Sequence, residues 1–544
     1  QEADEDQSGA APALWRFAFE GRDILLGSPD LRQQPLPVDR MAVSGQYDLA
    51  SGELQVEKGE VLSGEGNVSL TASVRPAEGS PQIEVRADLT PMSIRAFKMV
   101  WPSFAAPGAY RWVHENIRSG RVAGGTIRAS FPAGLMDRIE AGEKIPDDAL
   151  RAEFAIEDIT SSYLREMPYI RGGSGKGTIT GNRFELKVDG GHVALASGKR
   201  LELLNGYMRI PDIADPAPPG EIGFDIAGPV PGLLELLDHD PLGYPGDLGI
   251  KPADFGGAGE VRLRLGLPLV ENVKLDDVTI KADAELSKFT GKGVFAGHDV
   301  ADGVLLLKVA DDVLTADGEV LVDKQPAKVV WRYPFTASKN DPSRFVVGMV
   351  LDDEGRKKFG LDIPYVSGPV RFEFEPGGAF GGAADKAAPT RVLADLKAAA
   401  VMPTPFGWSK PAGVPGDLAF EAQKKSSGEM VLDKLSYDGD GARVRGQIVL
   451  NKSQDIESAR LPVFNLHSGD DMALLAEDGA GVEPYARPLM LRPGGREVLA
   501  VAGLGAALPP AAAPRLAVHG EEWFLPATAL GAAAPAGPLP IRAI

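Results

Sequence analysis

Two glycine-rich stretches of the 544-residue chain have the residue types of nucleotide-binding loops. Residues 172–181 (GGSGKGTITG) contain a Gly-Lys pair, but Gly177 stands where a phosphate-binding loop needs Ser or Thr. Residues 291–296 (GKGVFA) match a relaxed dinucleotide-binding pattern. Both kinds of site also need a helix whose N-terminus meets the phosphate. No helical pattern follows either stretch, so we interpret both as parts of hairpins.

Patterns for metal binding and catalysis are incomplete as well. The six histidines are scattered, and no two have the i, i+4 spacing of a helical zinc site. Residues 437–441 (YDGDG) supply two carboxylates but lack the third ligand and the distal Glu of a calcium loop, so a hairpin turn explains them. The absence of cysteine excludes disulfides, thiolate metal sites and cysteine nucleophiles. We therefore predict a non-enzymatic protein with no catalytic residue, metal ion or cofactor.

The dominant pattern is a strict alternation of apolar and charged residues, which is typical of half-buried antiparallel strands. Pairs such as Asp302-Gly303 and Asp317-Gly318 separate the alternating runs and favour tight hairpins. We predict a mainly β fold: an elongated, twisted antiparallel sheet that forms an open groove, built from repeated hairpins with a few short capping helices. The clearest alternating runs are 83–87, 184–188, 261–265, 280–286 and 370–374.

Six short helices are predicted to cover ends and edges of this sheet, because exposed edges invite aggregation. The first covers 90–100, with Thr90 as its cap and Pro91 at the first helical position. The second covers 107–118. The other four cover 133–140, 231–238, 352–359 and 390–400.

Composition and pattern divide the chain into four segments. Residues 1–130 are predicted to form an N-terminal β-ladder with the helices 90–100 and 107–118, and 131–385 a central β-groove segment. Residues 386–470 form a further strand-rich segment. The Ala-, Pro- and Leu-rich stretch 471–544 is interpreted as a flexible low-complexity tail or, alternatively, as the product of a frameshift.

Charge and hydropathy restrict the partners. The formal net charge is −19, and no Lys/Arg cluster provides the basic footprint that nucleic-acid binding needs. No run of about 18 apolar residues could span a membrane as a helix. The chain opens with an acidic stretch at Gln1 that has no signal-peptide pattern. We expect it to start partway through a longer gene product, with an upstream anchor missing.

Four stretches together resemble the AsmA/YhdP-like family of Gram-negative envelope proteins, over about residues 40–450. The final stretch of the chain departs from that family, which normally continues with strands. The resemblance implies a periplasmic β-structure, an N-terminal inner-membrane anchor that is absent here, and phospholipid movement toward the outer membrane, where the partner is unknown. The stretches are 110–122 (YRWVHENIRSGRV), 167–175 (MPYIRGGSG), 265–269 (LGLPL), and 405–413 (PFGWSKPAG) after 394–396 (ADL).

The alternating pattern and the resemblance together predict an apolar groove that holds phospholipid acyl chains. Each buried CH₂ group stabilises such a chain by about 0.8 kcal/mol relative to water. A structural or regulatory envelope protein with closed β-sandwich cores is the alternative. A carbohydrate-active or adhesive β-protein fits less well, because aromatic residues are only 7% and the tryptophans lie far apart. The predicted groove-lining residues are Phe184, Leu186, Val188, Val261, Leu263, Leu265, Phe372 and Phe374.

Overall fold

The computed structural model of this chain divides it into two compact units. Unit 1 contains residues up to 244, 256–286 and 307–312, and unit 2 contains 245–255, 287–306 and the residues from 313 onward. The predicted division into four segments stays a prediction. The structure describes residues 14–27, 35–101, 106–163, 167–240, 242–270, 273–274, 277–295, 297–336, 343–361, 365–377, 388–403, 408–452, 456–468, 474–477, 488–491, 498–501, 522–525 and 539–542.

Unit 1 consists of long strands joined by short turns. Its strands are β1 (Leu14–Leu26), β2 (Leu36–Asp48), β3 (Leu54–Ser63), β4 (Gly66–Arg75), β5 (Gln82–Leu89), β6 (Met92–Ser93), β7 (Ile117–Phe131), β8 (Leu150–Ser161), β9 (Ile170–Thr180), β10 (Arg183–Ala194), β11 (Arg200–Ile210), β12 (Pro219–Pro229) and β13 (Phe255–Pro268). Its helices are α1 (Ile94–Val100), α2 (Pro107–Asn116), α3 (Leu135–Glu140) and α4 (Val230–Leu237). From β1 to β5 and from β7 to β13, each strand pairs antiparallel with the next, and β5 and β6 both pair with β7.

Unit 2 repeats this construction. A short helix α5 (Tyr244–Asp247) and a 3₁₀ turn (Pro252–Asp254) precede β13, and β14 (Thr279–Phe295) and β15 (His298–Ala310) contribute residues to both units. The later elements are β16 (Val313–Val322), β17 (Gln325–Pro334), β18 (Arg344–Leu351), α6 (Asp353–Lys358), β19 (Val366–Ser367), β20 (Val370–Glu375), β21 (Thr390–Asp395), β22 (Ala400–Val401), β23 (Gly416–Lys424), β24 (Met430–Gly439), β25 (Ala442–Leu450), β26 (Ile456–Asn465) and β27 (Leu474–Glu477). All the ladders among β16, β17, β18, β20, β21 and β23 to β27 are antiparallel, as is the small pair of β19 and β22.

The predicted fold class is confirmed: the chain is mainly β, antiparallel, made of successive hairpins, with a few short helices. The alternating run 184–188 lies in β10 and the run 261–265 in β13, with the apolar residues half-buried and the charged ones exposed. Alternation works as a guide here because successive side chains of a strand point to opposite faces.

Regular alternation is interrupted in several strands by one residue with left-handed backbone geometry. Examples are Asp158 (φ 51°) in β8, Asn205 (φ 48°) in β11 and Lys434 (φ 51°) in β24. The pairing register shifts at each of these positions, which marks a β-bulge. Ile156 and Ile159, on either side of Asp158, pack in the same apolar cluster. The bulge therefore inserts a residue without moving the apolar side chains to the other face.

The first helix begins later than predicted, because Ser93 and not Thr90 is its N-cap. The Ser93 hydroxyl accepts a hydrogen bond from the Ala96 N–H at 3.0 Å. The Thr90 hydroxyl instead accepts one from the Asn67 N–H at 2.9 Å, at the start of β4. A sequence offers both hydroxyls as caps, and the tertiary contact of Thr90 decides between them.

The predicted helix at 390–400 is wrong, since its first part forms β21. Val392 and Ala394 are buried and Arg391 is exposed, as expected for a strand. Ladders with β20 on one side and β23 on the other satisfy its backbone. The apolar pattern of so short a run is compatible with the period of a helix and with that of a strand. Only the ladder partners of β21 distinguish the strand from the helix. The other four helices are confirmed, with small differences at their ends.

Most of the predicted tail, 471–544, lies outside the described residues. Within it the structure gives β27 and two small antiparallel pairs. These are β28 (Pro488–Leu491) with β29 (Val498–Val501), and β30 (Glu522–Leu525) with β31 (Leu539–Arg542).

Candidate functional site

In unit 1 the predicted groove-lining residues lie on one face of the sheet. Phe184 in β10 pairs with Ile179 in β9 and with Ile210 in β11. Leu265 in β13 pairs with Ile222 in β12. Directly opposite residues of an antiparallel ladder point to the same side, and the charged residues between them point to the other. One face of these strands is therefore apolar and the other is charged.

The apolar face is only partly covered. The predicted residues Phe184, Leu186, Val188, Val261, Leu263 and Leu265 are all half-buried. Met208 and Ile210, on the strand beside β10, are half-buried too. Side chains inside two closely packed sheets are mostly buried on all sides. These side chains are only half-buried, so part of their apolar surface is exposed to solvent.

Aromatic rings lie over glycines on this face. A Cβ atom at Gly177 would lie 2.1 Å from Cζ of Phe154, and one at Gly206 would lie 2.4 Å from Cε1 of Phe224. The ring of Phe154 also stacks on that of Phe184, with 6.5 Å between the centroids. The rings therefore occupy the space that side chains at Gly177 and Gly206 would fill.

One end of the apolar face in unit 1 is closed by α4. Five side chains form a buried cluster there: Val193, Leu195, Leu201, Leu203 and Ile226. Leu233 and Leu236 of α4 pack against this cluster, as do the predicted residues Val261 and Leu263. Phe184 in β10 and Leu265 in β13 lie toward the strand ends that are farther from α4. The face is therefore packed at the helix end and more open at the other.

The helix α1 closes a second part of unit 1. The buried cluster there contains Leu36, Val38, Met92, Ile94, Ala96, Val122 and Ile159. Lys98 of α1 is also buried, and its ammonium group donates hydrogen bonds to the carbonyl oxygens of His114 (3.2 Å) and Ile117 (2.6 Å). Burial lowers the pKa of Lys98, and the charge of Arg118 lowers it further. Lys98 thus fixes α1 to the C-terminal end of α2.

The two remaining predicted residues lie in unit 2 and differ in burial. Phe372 pairs with Met349 and Ala394 and is only 3% exposed, so it belongs to a packed core. Phe374 pairs with Val347 and is half-buried. Burial therefore decreases along β20 from Phe372 to Phe374, as it does along the strands of unit 1.

A shallow pocket lies on the charged side of the sheet in unit 1, at the strand ends that carry Phe184 and Ile210. It has a volume of about 340 Å³ and is lined by Phe184 and Ile210 together with Arg183, Arg209 and Glu221. These arginines have acidic neighbours within unit 1, since Arg183 binds Asp147, and Arg209 lies 3.6 Å from Glu221. Polar groups of both signs therefore line this pocket, on the face opposite the half-buried apolar side chains.

The motifs that resemble nucleotide and calcium sites are structural. Residues 172–181 lie mostly in β9, and 291–295 end β14, so no helix follows either. Residues 437–439 end β24, and Asp440 and Gly441 form the turn before β25. Among the described residues, no group of three or more His, Asp or Glu side chains is arranged to hold a metal ion.

Comparison of the chain with protein-family models, curated proteins and solved structures finds no match. The resemblance to the AsmA/YhdP-like family therefore stays a prediction. In the part of the chain that the structure describes, every helix is too short or too polar to cross a membrane.

Sequence reasoning missed two buried cations that hold loops of unit 2. Lys410 is completely buried, and its ammonium group donates to the carbonyl oxygens of Leu396 (2.8 Å), Ala399 (2.7 Å), Pro411 (3.3 Å) and Val414 (3.0 Å). Burial lowers its pKa. Lys410 is part of the stretch 405–413. The sequence signal for its burial was a single lysine in the otherwise uncharged run 408–413 (WSKPAG).

The second buried cation is Arg356 of α6. Its guanidinium donates to the carbonyl oxygens of Leu351, Gly368 and Val366, and to the Asp353 carboxylate at 2.6 Å. It thereby ties α6 to β18 and β19. Lys410 and Arg356 satisfy loop carbonyls that a strand would otherwise pair, so both are explained by folding and neither enters the candidate site.

Proposed function

We propose that the half-buried apolar faces of this protein bind the acyl chains of phospholipids. The observation that carries the proposal is the contrast within unit 1 between the charged, exposed face and the apolar, half-buried face around Phe184 and Leu265. An acyl chain lying on such a face would cover apolar surface that water now reaches. Each CH₂ group removed from water contributes about 0.8 kcal/mol.

The resemblance to the AsmA/YhdP-like family supplies the biological setting of the proposal. The chain would be a periplasmic segment of an inner-membrane-anchored protein that helps phospholipid move toward the outer membrane and supports envelope integrity. No covalent bond changes in this process, so the proposal requires no catalytic residue and no cofactor.

A photo-crosslinking amino acid placed on each face of one strand tests the proposal. Leu186 and Lys187 are adjacent in β10 and point to opposite faces. With phospholipid vesicles or in cells, we expect a benzophenone side chain at position 186 to form lipid adducts detected by mass spectrometry. The same group at position 187 is the matched control. Equal labelling at both positions, or none at either, would contradict the proposal.

A closed structural or regulatory envelope protein remains the second candidate, and one observation favours it. In unit 2 the paired residues Met349 and Phe372, together with Leu351 and Val370, are at most 3% exposed. A face buried to this degree has no apolar surface left for a lipid. This candidate predicts that position 186 also fails to label.

A further inference from the structure

On the charged face of unit 1, one row of side chains across the strands contains cations and no carboxylate. Lys176 in β9 lies directly opposite Lys187 in β10, and Lys187 lies opposite Tyr207 in β11. Tyr207 lies opposite Gly223 in β12, which lies opposite Arg264 in β13. Directly opposite residues point to the same side of a sheet, so these five positions form one row, which we call the basic row.

The neighbouring rows on the same face combine opposite charges instead. Two residues along the strands in one direction, Glu185 lies opposite Arg209. On the other side of the basic row, Asp225 lies opposite Arg262 at 3.5 Å. Opposite charges stabilise a ladder and like charges directly opposite destabilise it. Folding therefore explains the neighbouring rows and leaves the basic row unexplained, which is a mark of a functional position.

The three cations of the basic row are available to a ligand. Lys176, Lys187 and Arg264 are all exposed. Among the described residues, no carboxylate forms an ion pair with any of them. Their grouping contrasts with the net charge of the chain, which is −19. The sequence shows no basic cluster here, because ladder pairing and not proximity in the chain brings the three cations into one row.

The shape of the basic row favours a single extended polyanion. Lys187 and Arg264 are separated by three strand intervals, about 14 Å. The row is one side chain wide, and Glu185 and Asp225 lie in the rows that flank it. A flat membrane surface or a nucleic-acid duplex would bring further anions close to these carboxylates. A single chain of anionic groups can follow the row and avoid them.

The aromatic ring in the row is not a stacking platform for nucleobases. The Tyr207 ring occupies the space that a side chain at Gly223 would fill. The guanidinium of Arg209 lies over this ring, 4.5 Å from its centroid. The ring is already packed against both residues, so it offers a nucleobase little surface. This arrangement disfavours single-stranded nucleic acid as the polyanion.

We propose that the basic row binds an acidic polysaccharide, whose carboxylates pair with the three cations. The flanking acceptors favour this class of polyanion over polyphosphate. The Glu221 carboxylate already accepts a hydrogen bond from the Tyr207 hydroxyl at 2.7 Å, and Asp225 accepts one from the Asn205 amide at 2.9 Å. A polymer of uronic acids carries hydroxyl groups that can donate to such carboxylates, whereas polyphosphate presents only anionic oxygens to them.

A titration with a defined polyanion tests the proposal. Fluorescein-labelled oligogalacturonate is the probe, and its fluorescence anisotropy is measured as the protein is added. We expect saturable binding that weakens as salt is added, because the three cations are exposed. Unlabelled oligogalacturonate should displace the probe, and neutral dextran should not. Absence of binding at low salt, or stronger competition by polyphosphate of equal charge, would overturn the proposal.

Variants of the row locate the binding. We expect the double variant Lys187→Gln/Arg264→Gln to weaken binding roughly tenfold. Lys328→Gln is the matched control, since Lys328 is an exposed lysine of β17 that lies 3.4 Å from Asp317. Equal affinities of wild type and the double variant would overturn the proposal.

The stability of Lys187→Gln separates loss of binding from loss of folding. This variant removes the like charge opposite Lys176, so its melting temperature should equal or exceed that of wild type. A lower melting temperature would mean that folding does explain Lys187, and would overturn the reasoning from the row. Lys187 and Leu186 point to opposite faces. Lipid adducts at position 186 therefore report on the other face, and the two proposals can fail independently.

Discussion

The ring of Phe154 in β8 lies over Gly177 in β9, so that a Cβ atom at position 177 would lie 2.1 Å from Cζ of the ring. Gly177→Ala must therefore push the ring off the sheet or displace β9. We expect the free energy of unfolding to fall by about 1–3 kcal/mol, the usual effect of overpacking. Urea denaturation followed by circular dichroism measures this change.

The matched control for this prediction is Gly64→Ala, because nothing lies within 4 Å of a Cβ at that position. We expect it to change stability by less than about 0.5 kcal/mol. Combining Gly177→Ala with Phe154→Leu should recover part of the loss, since the smaller side chain frees the space. Equal losses for Gly177→Ala and Gly64→Ala would show that the ring does not lie over the glycine.

How much of this structure the sequence predicts depends on whether the information is local. The strand at 184–188 and its apolar face follow from alternation alone, because side-chain direction is a local property of a strand. The extent to which Phe184 and Phe372 are covered does not, since it depends on which elements pack above them. Both residues show the same alternating pattern, yet one is half-buried and the other is 3% exposed.

The bulges were missed although the sequence carries a signal for them. At Ile156-Glu157-Asp158-Ile159 two polar residues separate two apolar ones, and the same spacing occurs at Leu432-Asp433-Lys434-Leu435. Strict alternation treats such a site as a strand end, but a residue with positive φ lets the strand continue. The buried Lys410 was missed for a different reason, because its four carbonyl partners come from loop positions that no periodicity relates to it.

The bulge at Asp158 leads to a prediction about backbone strain. Its φ of 51° favours Gly, Asn and Asp and opposes β-branched residues. We expect Asp158→Val to lower the free energy of unfolding by about 1–2 kcal/mol and Asp158→Gly to leave it nearly unchanged. Glu157→Val, the adjacent exposed position without positive φ, is the control. A destabilisation by Asp158→Gly as large as that by Asp158→Val would contradict this explanation.

Removing the Lys410 ammonium should destabilise the loop that it holds. Lys410→Met removes the ammonium donor from four carbonyl oxygens: the Leu396 oxygen keeps the Ala399 N–H (3.0 Å), but the oxygen of the buried Ala399 loses its donor. We expect a loss of about 3–5 kcal/mol, since a buried unsatisfied acceptor costs about 1–3 kcal/mol and several are affected. Hydrogen exchange should report the opening within unit 2. Lys397→Met, at an exposed position of the same loop, should have almost no effect.

The Asp353 carboxylate makes the stability of unit 2 depend on pH. The Gly368 N–H (2.8 Å) and then the Arg356 guanidinium hold the pKa of Asp353 below its ordinary value. A carboxyl group with a lowered pKa in the folded state stabilises the protein at neutral pH. That contribution is lost as the pH falls through the folded-state pKa.

We therefore expect Asp353→Asn to lower the melting temperature at about pH 7, and the difference from wild type to shrink at about pH 3. Thermal unfolding at several pH values between about 3 and 7 measures the melting temperature of wild type and variant. Glu354→Gln, at the next position in α6, is the control. A difference between wild type and Asp353→Asn that grows toward acid would mean that the carboxylate does not stabilise the fold.

Accessibility of single cysteines can distinguish an open apolar face from a closed core. Phe184 is half-buried, Phe372 is 3% exposed, and Glu185 lies on the charged face next to Phe184. In a chain without native cysteine, we expect a maleimide to label Phe184→Cys readily and Phe372→Cys at least about tenfold more slowly, because a buried thiol reacts only after local opening. Phospholipid should then slow the labelling of position 184 and leave Glu185→Cys unchanged. If lipid protects neither position, or protects both equally, acyl chains do not lie on this face, and the half-buried side chains around Phe184 need another explanation.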